Sequence, residues 1–122
     1  MTRIRVLLTL LVAVVLIPAS AWAHRRATKA ERHAILAAVV RQHQLSKAQA
    51  TCQVVTISTV NRSYAAVTWP AKLSKACLRV AANGVIIEHR KRGRWRFVTV
   101  GSAFRCPIEG VPNRVARDLG VC

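Results

Sequence analysis

The stretch Val85-Ile86-Ile87-Glu88-His89-Arg90-Lys91-Arg92-Gly93-Arg94-Trp95-Arg96-Phe97-Val98-Thr99-Val100 decides how this chain folds. Residues 85–90 and 94–100 are rich in β-branched and aromatic side chains, and Lys91-Arg92-Gly93 between them is turn-forming. That pattern predicts a β-hairpin. Side chains alternate across a strand, so Arg94 and Arg96 share one face while Trp95 and Phe97 share the other. The aromatics are expected to face a core and the arginines to face water.

Working upstream, Asn83-Gly84 between apolar runs is a strong hairpin signal, so residues 77–82 read as a short strand entering it. Residues 71–76 form an insert, and Pro70 stops a strand over 64–69. The turn Asn61-Arg62-Ser63 joins that strand to another over 52–60, rich in Val, Ile and Thr. These runs predict an antiparallel meander of four or five strands.

Before the meander, residues 28–44 read as a helix. Thr28 and Glu31 make an S/T-x-x-E capping box. Leu36, Val39, Val40 and His43 follow at the spacing of one buried face. His24, Arg25 and Arg26 are expected to be a mobile basic end. Downstream, Val111, Val115 and Leu119 recur every four residues behind Pro112, and Gly120 suits a helix end. The expected fold is α+β: an N-terminal helix packed on a four- to five-stranded antiparallel meander, with a short disulfide-stapled C-terminal helix.

Residues 1–23 read as a signal peptide, and residues 24–122 as a single secreted domain. Arg3 and Arg5 precede an apolar run over 6–17, Pro18 breaks it, and Ala21-Trp22-Ala23 supplies small residues for a peptidase. Cleavage is placed after Ala23, with Ala21 as the alternative. The apolar run is too short for a membrane span, which needs roughly 20 residues. Removing 23 residues from 122 leaves 99, and taking Arg3 and Arg5 from the 20 Lys and Arg leaves 18 against four acids. The mature side-chain charge is therefore +14.

Export also governs the four cysteines. An even number in an oxidising compartment implies two disulfides. Of three connectivities, Cys52–Cys77 with Cys106–Cys122 closes the short local loops and is favoured. The separations of 25, 29 and 16 residues lack the close Cys-x-x-Cys spacing of zinc sites. No metal or cofactor is expected.

The charge is the main functional signal. Arg90, Lys91, Arg92, Arg94 and Arg96 surround an embedded tryptophan, a composition suited to phosphate contact and base stacking. The anticipated partner is an anionic surface, a polymer or an acidic protein. Catalysis finds little material. Glu31 is used in capping, Asp118 is expected on the outer side of the tail helix beside Arg114 and Arg117, and Glu109 lies in a loop. Glu88 and His89 point to opposite faces of one strand. A small nuclease using His43 and His89 is one alternative, and a protein-interaction or inhibitor domain docking through the loop at 70–76 is another. His33 shares the first helix with His43, about 15 Å along the axis.

From Ser58 onward the chain resembles a group of uncharacterised small secreted actinobacterial proteins. The shared pieces are Ser58-Thr59-Val60-Asn61, Tyr64-Ala65, Gly93-Arg94-Trp95-Arg96-Phe97, Gly101-Ser102, Cys106, Val111-Pro112 and Asp118-Leu119-Gly120-Val121-Cys122. The resemblance implies export and the Cys106–Cys122 pairing. It implies no catalytic or binding residue.

Overall fold

Thr28 opens the helical layer, as the capping box predicts. In the computed structural model, which describes residues 24–122, helix α1 spans Lys29–Arg41. The Thr28 hydroxyl accepts from the Glu31 amide at 3.2 Å, and the Glu31 carboxylate accepts from the Thr28 amide at 2.9 Å. Arg25 donates to both Glu31 oxygens, at 2.7 and 2.9 Å. This fork, helped by the Thr28 contacts, holds the Glu31 carboxyl down at about 2. The leader expected over residues 1–23 lies outside the described residues.

Five strands form one sheet: β1 His24–Arg26, β2 Val54–Ser58, β3 Tyr64–Thr68, β4 Val85–Lys91 and β5 Arg94–Gly101. Their spatial order is their chain order, and every neighbouring pair is antiparallel. The α+β meander is therefore as expected, with β1 an addition. Residues 24–26 pair with Thr56, Ile57 and Ser58 of β2, so they are not a mobile end. His24 adds a contact between Nδ1 and the Asp118 carbonyl at 2.7 Å. Pairing across the fold, invisible in local propensity, orders this basic segment.

Alternation along β3 divides the interior in two. Ala65 and Val67 join Ile35, Ala38 and Val39 of α1, along with Val55, Ile57, Ile86 and Trp95. Tyr64 and Ala66 point the other way, joining Ile87, Ile108, Val111, Val115, Ala116 and Leu119. The second set includes residues of helix α4, Asn113–Asp118. The sheet is thus a middle layer between α1 and the C-terminal segment.

Two short helices replace expected irregular and extended chain. Helix α2, Lys47–Ala50, starts with a second capping box in which Ser46 and Gln49 exchange hydrogen bonds at 2.9 and 3.1 Å. Helix α3, Lys75–Leu78, overlaps the start of the strand expected over 77–82, and no strand forms there. The Ser74 hydroxyl accepts from the Cys77 amide and caps it. β3 pairs directly with β4, leaving no place for an intervening strand. Asn83-Gly84 accordingly leads into β4 and is not a hairpin turn.

The helix α1 buries Ile35, Ala38 and Val39, while Leu36 and Val40 are half-buried and His43 is exposed. The buried stripe lies one residue away from the expected one, because α1 is apolar on two sides. Both favoured disulfides are present. Cys52–Cys77 links the turn before β2 to α3, and Cys106–Cys122 closes the C-terminal layer. Each stabilises the fold by about 3 kcal/mol in the chain-entropy account.

Candidate functional site

The geometry of the basic hairpin follows from its turn. Arg92 and Gly93 both have positive φ, at 51° and 76°, and Lys91 pairs with Arg94. This is the two-residue connection whose twist matches the flanking strands. It places His89 opposite Arg96 and Arg90 opposite Trp95. Lys91, Arg94, Arg96 and His89 therefore share the sheet face that carries Tyr64, while Arg90 shares the face of Trp95. The Arg90 guanidinium lies 5.7 Å from the Trp95 ring centroid, within cation–π range.

The five expected polyanion contacts are thus partitioned. Three project from one face, Arg92 occupies the turn, and Arg90 lies against the tryptophan on the other face. All five are exposed. Among the described residues the one salt bridge is Arg25–Glu31, so no carboxylate engages the hairpin cations.

A groove of about 500 Å³ runs beside this face, lined by His89, Lys91, Arg96, Phe97, Glu109 and Gly110 among others. His89 stacks on Tyr64 with ring centroids 4.0 Å apart and planes 7° apart. Tyr64 in turn donates from its hydroxyl to the Gly110 carbonyl at 3.3 Å. Burial, and then the Lys91 charge, push the His89 imidazole below its ordinary value. It therefore contributes a flat, neutral surface at pH 7 beside the cations.

Trp95 is buried, as expected, at 8% exposure, but Phe97 is 39% exposed. Phe97 keeps the Trp95 face on the edge strand β5, and a β-bulge follows it: Ile87 pairs with Thr99 and Glu88 with Phe97, leaving Val98 unopposed. Val98 packs on the C-terminal cluster, across the sheet from Trp95.

The acids also differ from expectation. Asp118 is buried at 7% exposure, not on the outer side of its helix. It accepts from the Ser58 hydroxyl and from the amides of Thr59 and Val60. Glu88 is 0% exposed, and neither of its oxygens has a hydrogen-bond partner. Burial pushes its carboxyl up to about 7, opposed by Gln42 and the Arg41 charge. Gln42 already donates to the Trp95 carbonyl at 3.1 Å, and its own oxygen lacks a partner.

The histidines are not assembled into a catalytic group. His33 belongs to α1 and His43 follows it, whereas His89 faces the opposite layer. Among the described residues, no three His, Cys, Asp or Glu side chains are placed to hold a metal. The loop at 70–76 is mostly exposed and borders a groove of about 560 Å³ with Trp69 and Leu73.

Sequence reasoning missed the stacking of His89 on the buried Tyr64. Treating Arg92-Gly93 alone as the turn would have set His89 across from Arg96. No helix among the described residues is long and apolar enough to cross a membrane. No protein-family model, curated protein or solved structure matches the chain.

Proposed function

We propose that this chain is an exported, disulfide-stapled binding module that holds an anionic polymer against one face of its β4–β5 hairpin. The observation carrying this reading is the convergence of Lys91, Arg94 and Arg96 on one side, with no carboxylate among the described residues engaging them. Arg94 and Arg96 stand about 7 Å apart along the strand, so one flexible phosphate- or sulfate-bearing chain reaches both. His89, stacked on Tyr64, extends that face with neutral aromatic surface. The charge of the remaining surface adds a long-range, salt-screened attraction.

Export is supported by two disulfides, which persist in oxidising compartments, and by the leader pattern over residues 1–23. The mature protein would begin at His24, and N-terminal sequencing of secreted material checks this.

Retention on heparin and on single-stranded nucleic acid, measured across salt concentrations, tests the binding face. Replacing Lys91, Arg94 and Arg96 by Ser should flatten the logarithmic salt slope by about 2–3 units, the loss of three phosphate-type contacts. Arg90→Ser, on the Trp95 side, should change it less. Unchanged retention in the triple variant would refute the assignment.

A further inference from the structure

A surface helix resting on a sheet needs one apolar stripe. Helix α1 has two. Ile35, Ala38 and Val39 cover the sheet. Leu36 lies at the edge of that contact and packs partly against the same core, while exposed Ala37 and half-buried Val40 lie farther round the helix and line one surface with Ala50 of α2. Together they floor a groove of about 810 Å³ between α1 and α2.

The groove is basic at its margins. Lys29, Arg32 and His33 stand at one end, Arg41 at the other, and Lys47 on the α2 wall. Among the described residues no carboxylate lines it. Glu31, the one acid of α1, is instead held by Arg25. Arg32 also braces the wall by donating to the Gln53 and Thr51 carbonyls at 2.5 and 3.3 Å.

We propose that this groove docks an acidic amphipathic helix of a partner protein. Apolar anchors of that helix fill the space over Leu36, Ala37 and Val40, and flanking carboxylates meet the basic margins. A helix fits because it satisfies its own backbone hydrogen bonds. An extended peptide gains affinity from an open strand edge, which two helical walls do not offer. The span from Lys29 to Arg41 is about 18 Å, or just over three turns, matching anchors at i, i+4 and i+7. A bilayer is a poorer fit, since membrane-surface helices push large apolar side chains outward. Here the apolar lining consists of small or partly buried side chains, two of them alanines.

This site is separate from the hairpin surface, because α1 and the Lys91–Arg94–Arg96 face lie on opposite sides of the sheet. Hairpin variants therefore provide an internal control.

The test uses fluorescein-labelled synthetic helices of about 15 residues, followed by anisotropy with the folded, disulfide-bonded protein. One carries a Leu stripe flanked by Glu. A second replaces Leu by Ser, and a third replaces Glu by Lys. The first should bind saturably and the other two at least tenfold more weakly. Ala37→Glu, at an exposed position, and Arg41→Glu should each weaken binding about tenfold without changing the circular dichroism spectrum or melting temperature. The hairpin triple variant should bind as the wild type does. Equal binding of the Ser-stripe peptide would reduce the effect to charge alone and overturn the proposal. Unchanged affinity in both groove variants would also overturn it. So would binding to phosphatidylglycerol vesicles that Ala37→Glu abolishes while the Glu-flanked peptide fails to bind.

Discussion

Asp118 of α4 accepts a hydrogen bond from the Ser58 hydroxyl at 2.5 Å, joining the last helix to the end of β2. The same carboxylate oxygen accepts from the Thr59 amide at 2.9 Å and the Val60 amide at 3.4 Å. Asp118→Ala leaves these donors without their acceptor in a buried setting. Each such loss costs about 1–3 kcal/mol, so the melting temperature should fall by at least about 4 °C. Asp118→Asn keeps an acceptor oxygen and should fall less. Thermal melts of the two variants check the ranking.

Glu88 gives a pH signature above the acid range. An unfolded glutamate titrates near about 4.3, whereas burial raises the native carboxyl to about 7. Between those values the native state keeps a proton that the unfolded state has released. Stability therefore falls as pH rises from about 4.3 to about 7. Glu88→Gln should remove this slope and stabilise the protein at about pH 8 relative to wild type. Superimposable pH–stability profiles would contradict it.

Glu31 acts in the opposite direction. Its native carboxyl is depressed to about 2, first by the Arg25 hydrogen bond. The stability it confers is present above about 4.3 and lost as pH falls toward about 2. Arg25→Gln should flatten this acid limb. At neutral pH the cost should be at most about 1 kcal/mol, because the pair is partly solvated. Urea melts at acidic and neutral pH separate the two effects.

Replacing Cys106 and Cys122 together by Ser removes the staple of the C-terminal layer. The expected loss is about 3 kcal/mol, read as a lower urea midpoint. Hydrogen exchange should rise first in residues 104–121, whose packing partners on the sheet belong to the second core cluster. A non-reducing peptide map should show Cys52 joined to Cys77 and Cys106 joined to Cys122.

Local chemistry made much of this architecture legible. Thr28 with Glu31, the hairpin through Lys91-Arg92-Gly93 (its turn one residue shorter than expected, since Lys91 pairs with Arg94) and the two short-loop disulfides are all written in neighbouring residues. Ser46 with Gln49 carried the same capping signal, but its polar surroundings offered no apolar stripe to draw attention to it. The face of α1 was misplaced because Leu36 and Val40 compete with Ile35 and Val39 for the same periodic pattern. β1 could not be read locally, since its order comes from β2 and from the Asp118 carbonyl. The burial of Asp118 was hidden for the same reason. Its donors at Ser58, Thr59 and Val60 lie far away in sequence. At the hairpin, alternation correctly separated Trp95 from Arg94 and Arg96, but Phe97, on the edge strand, stays exposed.

The disposition of the four acids bears on how copies of this protein treat one another. Glu88 and Asp118 are buried, and Glu31 is matched by Arg25, leaving Glu109 as the exposed side-chain carboxylate outside an ion pair among the described residues. Two molecules meeting in solution thus present cation to cation over nearly every approach. Mutual repulsion keeps them dispersed, and an added polyanion becomes the agent that gathers them. Assembly in such a mixture should pass through a maximum near charge balance and dissolve again when the anion is in excess.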